Sequence, residues 1–201
     1  MNQTMPNKNR QMYILLIDIS DSAPISESQL QGEIWNQTRS EFAGIMTKII
    51  ESAPKCYRDY SKCFGGDAAK VFFLNIEAAI TTAQKMLSSW MSSRCNRQLK
   101  YEGKPLVVAS CAIHWGVFSI TTGQPEGYNF NLTNRVQKMA SERGKKNNKC
   151  VILITKEAFD RLPADSKIRR RKQFNPLGQL EIKNLKKIVE AWEVLECSRT
   201  N

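Results

Sequence analysis

An α+β fold follows from the order in which two kinds of apolar pattern occur along the 201 residues. Short runs with strand patterning alternate with longer stretches whose apolar residues recur at helical spacing. The order is β–α–β–β–α–β, then a helix and further strands. A right-handed β–α–β crossover with both helices on one face makes such a chain a ferredoxin-like sheet with extra C-terminal strands. The composition agrees: 41% hydrophobic and 24% charged residues exclude a disordered tail, a collagen-like repeat and a coiled coil. No internal repeat or low-complexity linker divides the chain. Residues 1–11 read as a polar tail and 12–197 as one domain.

Each element has a local reason. Met12 to Ile19 (MYILLIDI) is an apolar run of strand length that ends near Asp18. Ser28 and Gln31 offer a capping box to a helix whose Leu30, Ile34, Phe42, Ile45 and Ile49 continue at helical spacing to Ala53-Pro54. Cys56 to Phe64 and Lys70 to Leu74 flank Gly65-Gly66-Asp67, which reads as a hairpin with a glycine turn. A second helix is expected from Ile76 to near Cys95, with Ile80, Ala83, Met86, Leu87 and Trp90 inside. Leu106 to Ile120 is strand-like until Thr122 to Gly127 breaks it, and a third helix is expected from near Phe130 to Gly144. Val151 to Ile154 is a strand, Lys156 to Leu162 a short helix, and Gln179 to Ile182 and Ile188 to Leu195 a closing pair of strands.

Charge narrows the partners. Thirty Lys+Arg against 19 Asp+Glu leave +11, a field that attracts polyanions. Much of the excess sits in Arg143 to Lys149 and Lys167 to Lys172, which read either as solvated loops or as sites for phosphate or a partner. Six cysteines without a CxxC pair, and one histidine, do not make a zinc site. The same His114 lies in an alternating strand pattern, a poor place for a catalytic base. No apolar run approaches the ~20 residues that span a bilayer, so the sequence predicts a cytoplasmic protein that does not engage a membrane.

Chemistry concentrates on two aspartates. Asp18 ends an apolar strand, where a carboxylate is costly unless it is paired or binds a metal. Asp67 follows two glycines that let the chain turn sharply. Taken singly, the first reads as a helix cap and the second as a turn residue. The predicted topology sets the first strand beside the hairpin, so the two can meet, and a divalent cation would remove their repulsion. Oxygen ligands suit Mg²⁺ or Mn²⁺, which retain substrate phosphates as further ligands.

Beyond these, LLIDIS, GGDAAKVFF, SCAIHWGV, Gly127 to Arg135 (GYNFNLTNR) and the late LEIKNLKKIVEAWEVL follow one another in order. This series resembles the catalytic domain of class III nucleotidyl cyclases over nearly the whole chain. The family shows an Asp-Ile strand end, a Gly-Asp hairpin, an Ile-His-x-Gly strand, Gly-x-x-Val-Asn-x-x-x-Arg, and a late Leu-x-x-x-Lys-x-Leu segment. The resemblance implies that Asp18, the Ile19 backbone and Asp67 hold two divalent cations. It implies that Ser20, Asp21 and Ser22 present backbone N–H groups to the β- and γ-phosphates, that Asn131 orients the ribose, and that Arg135 stabilises charge on the α-phosphate. Lys183 or Lys186 would bind the triphosphate. Aspartates and Asn/Arg pair come from opposite protomers in this family, which implies a homodimer with shared sites.

At the base-reading positions the sequence departs from the family. Adenylate-specific members carry Lys four residues before the hairpin aspartate and guanylate-specific ones Glu; here Cys63 stands there, with Lys62 beside it. One inserted glycine in the hairpin would restore Lys62. Seven residues before the asparagine, where many adenylate cyclases have Asp, stands Gln124. These departures resemble the stand-alone pyrimidine cyclases of bacterial Pycsar antiphage systems, which make cyclic UMP or cyclic CMP for a separate effector. Tyr57 or Tyr60 would then fill the space a smaller base leaves, or simply pack in the strand. The alternatives are an adenylate or guanylate cyclase, a catalytically inactive nucleotide-binding domain of the same fold, and a basic nucleic-acid-binding module. The last would read RNA with exposed strand aromatics, for which the sequence lacks the Gly-Phe-x-Phe pattern.

Overall fold

The computed structural model describes residues 8–19, 29–53, 58–64, 67–121, 124–170, 174–182 and 187–195. Eight strands form one sheet in the order β2-β3-β1-β4-β6-β8-β7, with β5 pairing β4. They are β1 (Lys8–Ile19), β2 (Arg58–Phe64), β3 (Ala68–Phe73), β4 (Ala109–Thr121), β5 (Gln124–Glu126), β6 (Val151–Thr155), β7 (Phe174–Ile182) and β8 (Lys187–Val194). The helices are α1 (Gln29–Ser52), α2 (Ile76–Met91), α3 (Arg94–Tyr101), α4 (Tyr128–Asn147), α5 (Lys156–Phe159) and α6 (Lys167–Arg170). The first four strands are antiparallel to their neighbours in the order 2-3-1-4, the ferredoxin-like arrangement, and β6, β8 and β7 extend the sheet beyond β4.

Strand β1 reads as an uninterrupted apolar run because both of its faces are covered. Tyr13, Leu15, Ile17 and Ile19 join Phe42, Met46 and Ile50 of α1 and Ile80, Ala83, Met86 and Trp90 of α2 in the largest core cluster. Met12, Ile14 and Leu16 point the other way, into a small cluster with Phe72, Phe118 and Phe130. Both crossover helices therefore lie on one face, as the topology predicts. On the opposite face α4 sets Leu132, Val136 and Ala140 against Ala112 of β4 and Val151 and Leu153 of β6.

Several boundaries differ from expectation, each for a visible reason. β1 starts at Lys8 rather than Met12, because β4 runs on to pair Lys8 through Gln11 with Ile120 through Val117. Polar side chains do not prevent that pairing at the end of a strand. The second helix stops at Met91 instead of reaching Cys95. Ser93 caps a new helix by accepting from the Asn96 N–H at 3.2 Å, and the Glu41 carboxylate of α1 takes the Arg94 and Cys95 N–H groups at 2.6 and 3.0 Å. Buried Asn96 then ties the turn to Val107 through both ends of its amide. The expected break at 122–127 contains the three-residue β5, paired back on Ser119 to Thr121. β7 begins at Phe174, five residues before Gln179, and a register shift between Pro176 and Gly178, with Gly178 at φ 72°, keeps the longer strand paired to β8.

The basic run at 143–149 is partly committed to structure. Glu193 of β8 is buried and receives Arg143 Nε and Lys149 Nζ, both at 2.6 Å, which fastens the end of α4 to the sheet. Burial pushes the Glu193 carboxyl up, but the two cations outweigh burial and hold its pKa below the ordinary value. The stability it contributes is thus present above the usual glutamate range and lost as pH falls through the depressed pKa. Removing the cations strands a buried charge, whereas neutralising the carboxylate does not. Arg143→Ala/Lys149→Ala should therefore cost about 3 kcal/mol and Glu193→Gln only about 1 kcal/mol in urea melts at pH 7. Equal losses would show that the pair of cations is not bound to this carboxylate in solution.

Candidate active site

The antiparallel register of β1 and β3 decides where the two aspartates lie. Asp18 pairs with Ala68, and the Ile19 N–H donates to the Asp67 carbonyl at 3.0 Å, so Asp18 and Asp67 occupy neighbouring rungs of adjacent strands. Both are half-buried. Burial raises the Asp18 pKa first and the Asp67 carboxylate raises it further; the Ile19 N–H and Lys145 of α4 offset part of this, leaving it at about 6. The period of two along β1 places Asp18 with Leu16, on the face away from α1 and α2.

On that face a cavity of about 190 Å³ lies between β1, β3 and α4, walled by Asp18, Lys70, Phe130, Asn134 and Gln137 among others. Lys70 is a buried cation three residues after Asp67, with its Nζ 4.8 Å from the Phe130 ring centroid. The sequence reading missed it. Its signal was a lysine sharing the period-two face of Phe72 in an otherwise apolar strand. Asn134 and Gln137 were missed too, although they follow Phe130 at i+4 and i+7 along one side of α4.

Asn131 and Arg135 lie four residues apart on α4, and both are exposed. Neither lines the cavity that holds Asp18. The structure therefore brings Asp18 and Asp67 together within the chain and leaves the Asn/Arg pair facing outward. In β2, Tyr60, Lys62 and Cys63 pair with Phe72, Lys70 and Ala69. Directly opposed residues share a register position, so Lys62 stands level with Lys70 and Cys63 with Ala69; Lys70 and Ala69 both border the cavity, and Ala69 also joins the core. Gln124 pairs with Thr121 in the β4–β5 hairpin. Tyr57, Ser20, Asp21, Ser22, Lys183 and Lys186 lie outside the described residues. Val71, Phe72 and Phe73 are completely buried and offer no exposed aromatic face for stacking bases.

The donor set fits a divalent cation. Asp18 is a hard, half-buried carboxylate bordering an opening that leaves coordination positions for ligand oxygens, and the Asp67 carboxylate is near enough to repel it. Among the described residues no group of three or more acidic, histidine or cysteine side chains gathers, at these aspartates or elsewhere. No helix among them is long and apolar enough to cross a membrane.

No family model and no curated protein matches the chain in sequence. Solved structures do. The adenylyl cyclase CyaB from P. aeruginosa aligns over 97% of this chain and 98% of its own, with a TM-score of 0.72 and 19% identity. The chain has the fold of class III nucleotidyl cyclase catalytic domains. An adenylate/guanylate cyclase/hydrolase from Silicibacter pomeroyi covers 94% and 98% at TM-score 0.70 and 15% identity. Adenylate cyclases of Trypanosoma brucei in their monomeric state cover 100% and 95% at TM-score 0.71 and 16% identity.

A carboxylate with a raised pKa weakens the fold once ionised. Asp18 binds its proton more tightly in the folded chain, so stability falls as pH rises from about 4 to about 6 and stays lower above it. In metal-free protein, Asp18→Asn should therefore raise stability by on the order of 2 kcal/mol above pH 6 and by nothing below pH 4. Thermal melts with chelator across that range check this, and a destabilised Asn variant at pH 7.5 would contradict the electrostatic reading.

Proposed function

We propose that the protein is a nucleotidyl cyclase, which converts a nucleoside triphosphate to its 3′,5′-cyclic monophosphate and pyrophosphate. The observation that carries the reading is the placement of Asp18 at a cavity with Asp67 on the adjacent rung, in a chain with the cyclase fold. Asp18, Asp67 and the Ile19 carbonyl would hold two divalent cations, Mg²⁺ or Mn²⁺. Such cations, when bound, supply Lewis acidity toward the ribose 3′-OH and neutralise phosphate charge. The residues of this chain do the rest. Asn131 orients the ribose so that the 3′-oxygen lies in line with the α-phosphorus. Arg135 meets the negative charge that builds on the α-phosphate, an aligned cation worth on the order of 10²-fold in rate. Backbone N–H groups of Ser20 to Ser22 and the ammonium of Lys183 or Lys186 receive the β- and γ-phosphates. The new P–O bond forms at the 3′-oxygen, whose proton leaves to water, as the bond to pyrophosphate breaks.

The outward-facing Asn131 and Arg135 support a homodimer in which each site takes its aspartates from one protomer and this pair from the other. The cavity beside Asp18 agrees: at about 190 Å³ it is smaller than the roughly 300–1,000 Å³ of a complete small-molecule pocket. Mixing inactive Asp18→Ala and Arg135→Ala chains should restore one working site per heterodimer. An inactive mixture with proven heterodimers would refute sharing.

For the base, the departures at Cys63 and Gln124 support UTP or CTP, with the cyclic product serving as an antiphage signal read by a separate effector. One observation supports the purine alternative: Lys62 pairs with the cavity-lining Lys70 in the β2–β3 register, which would suit an adenylate-type lysine there. Incubation with ATP, GTP, CTP and UTP separately, with Mn²⁺ and with Mg²⁺, decides by the mass of the product. A cyclic pyrimidine nucleotide is expected. A cyclic purine nucleotide would transfer the base assignment to Lys62, and no product from any of the four would overturn the enzyme reading.

A further inference from the structure

The segment SCAIHWGV contributes no residue to the chemistry above, yet its His114 and Gly116 converge on the helix that carries Asn131 and Arg135. His114 is buried on β4, with Nδ1 2.9 Å from the Thr155 hydroxyl and Nε2 3.2 Å from Asn129 Oδ1. The Asn129 side chain fills the space above Gly116: a Cβ there would lie 2.6 Å from Asn129 Cγ and 2.6 Å from its Nδ2. Nδ2 donates to the Val117 carbonyl at 2.8 Å. That bond makes Oδ1 the acceptor, so His114 donates from Nε2, while its Nδ1 faces the Thr155 hydroxyl and, at 4.0 Å, the Glu157 carboxylate. The Asn129 carbonyl accepts from Thr133 Oγ1 at 2.7 Å, and the Gly127 carbonyl accepts from the Asn131 N–H at 3.1 Å. Asn129 is thus bound at its amide by β4 and at its backbone by α4.

We infer that His114, Gly116 and Asn129 form a socket that positions the first turns of α4, and through it Asn131 and Arg135, for reaction at the site completed by the partner subunit. The inference rests on the cyclase reading and extends it to residues that touch no substrate. A histidine and a glycine two residues apart on one strand face are what the socket requires. The first donates to the asparagine, and the second leaves room for it. Asn129 lies two residues before Asn131, and no flexible segment separates them. A misplacement of about 1 Å at catalytic groups can cost about 10²-fold in rate.

His114→Phe, which keeps a ring but loses the donor, and Gly116→Ala, which drives Asn129 out, should each lower kcat by 10- to 100-fold with KM changed less than threefold. His114→Gln, which can still donate near the Nε2 position, should recover part of the loss. The discriminating experiment mixes chains. A His114→Phe chain still offers its own Asp18 and Asp67, so pairing it with Asp67→Ala, whose α4 is intact, should regain activity. Pairing it with Arg135→Ala should not, because each site then lacks a working α4. Regain in both mixtures or in neither, with heterodimers confirmed, would overturn the socket, as would full activity in Gly116→Ala. If the wild type makes no cyclic nucleotide, the cyclase reading fails by itself. Hydrogen exchange at the amides of 131–135 then judges the socket: faster exchange in Gly116→Ala upholds it, and unchanged exchange removes it.

Discussion

The antiparallel pairing of β1 with β3 is the constraint on which the candidate site depends. Once Asp18 stands opposite Ala68, Asp67 has no choice but to stand beside it, because one backbone hydrogen bond from Ile19 closes the distance. The core enforces that register. Slipping β1 by one residue would exchange Tyr13, Leu15 and Ile17, packed under α1 and α2, with Met12, Ile14 and Leu16 on the other face. Apolar packing on two faces therefore holds together two like charges that would otherwise separate. Burial does most to raise the Asp18 pKa, and the enforced proximity of Asp67 raises it further.

A second division of labour runs across the sheet. The α1/α2 face is given to the core, and the other face carries the cavity, α4 and the outward-facing Asn131 and Arg135. Two attachments hold α4 there. Glu193 secures its C-terminal end through Arg143 and Lys149, and the contacts of His114 and Asn129 secure its first turn. Between them, Leu132, Val136 and Ala140 bury one side of the helix while Asn131 and Arg135 stay exposed. A helix held at both ends presents its exposed side chains in one orientation, which suits groups that must meet chemistry supplied from outside the chain.

Much of this was legible in the sequence. Periodicity located β1, α1, α2, α4 and β6, and the order of elements implied the 2-3-1-4 sheet. Asp18 and Asp67 stood out because a carboxylate closing an apolar strand and one after a double glycine are each chemically conspicuous. What stayed hidden depends on side-chain contacts between distant segments. Nothing local distinguishes Ser92-Ser93 from other helical serines until Glu41 is seen to cap the new helix from 53 residues away. Lys70 looks like a strand-end lysine until Phe130 and the cavity come into view. Glu193 likewise reads as one half of an alternating pattern, WEVLE, whereas the fold buries it for Arg143 and Lys149. The role of His114 depends on Asn129 of α4, 15 residues away.

A catalytic role for the paired aspartates requires that they bind a cation. Mn²⁺ titration of the purified protein at pH 7.5, with free ion followed by electron paramagnetic resonance, measures this without assuming any substrate. The wild type should bind saturably, and binding should weaken at least tenfold in both Asp18→Asn and Asp67→Asn while the fold is retained. Equal Mn²⁺ affinity in all three proteins would contradict it.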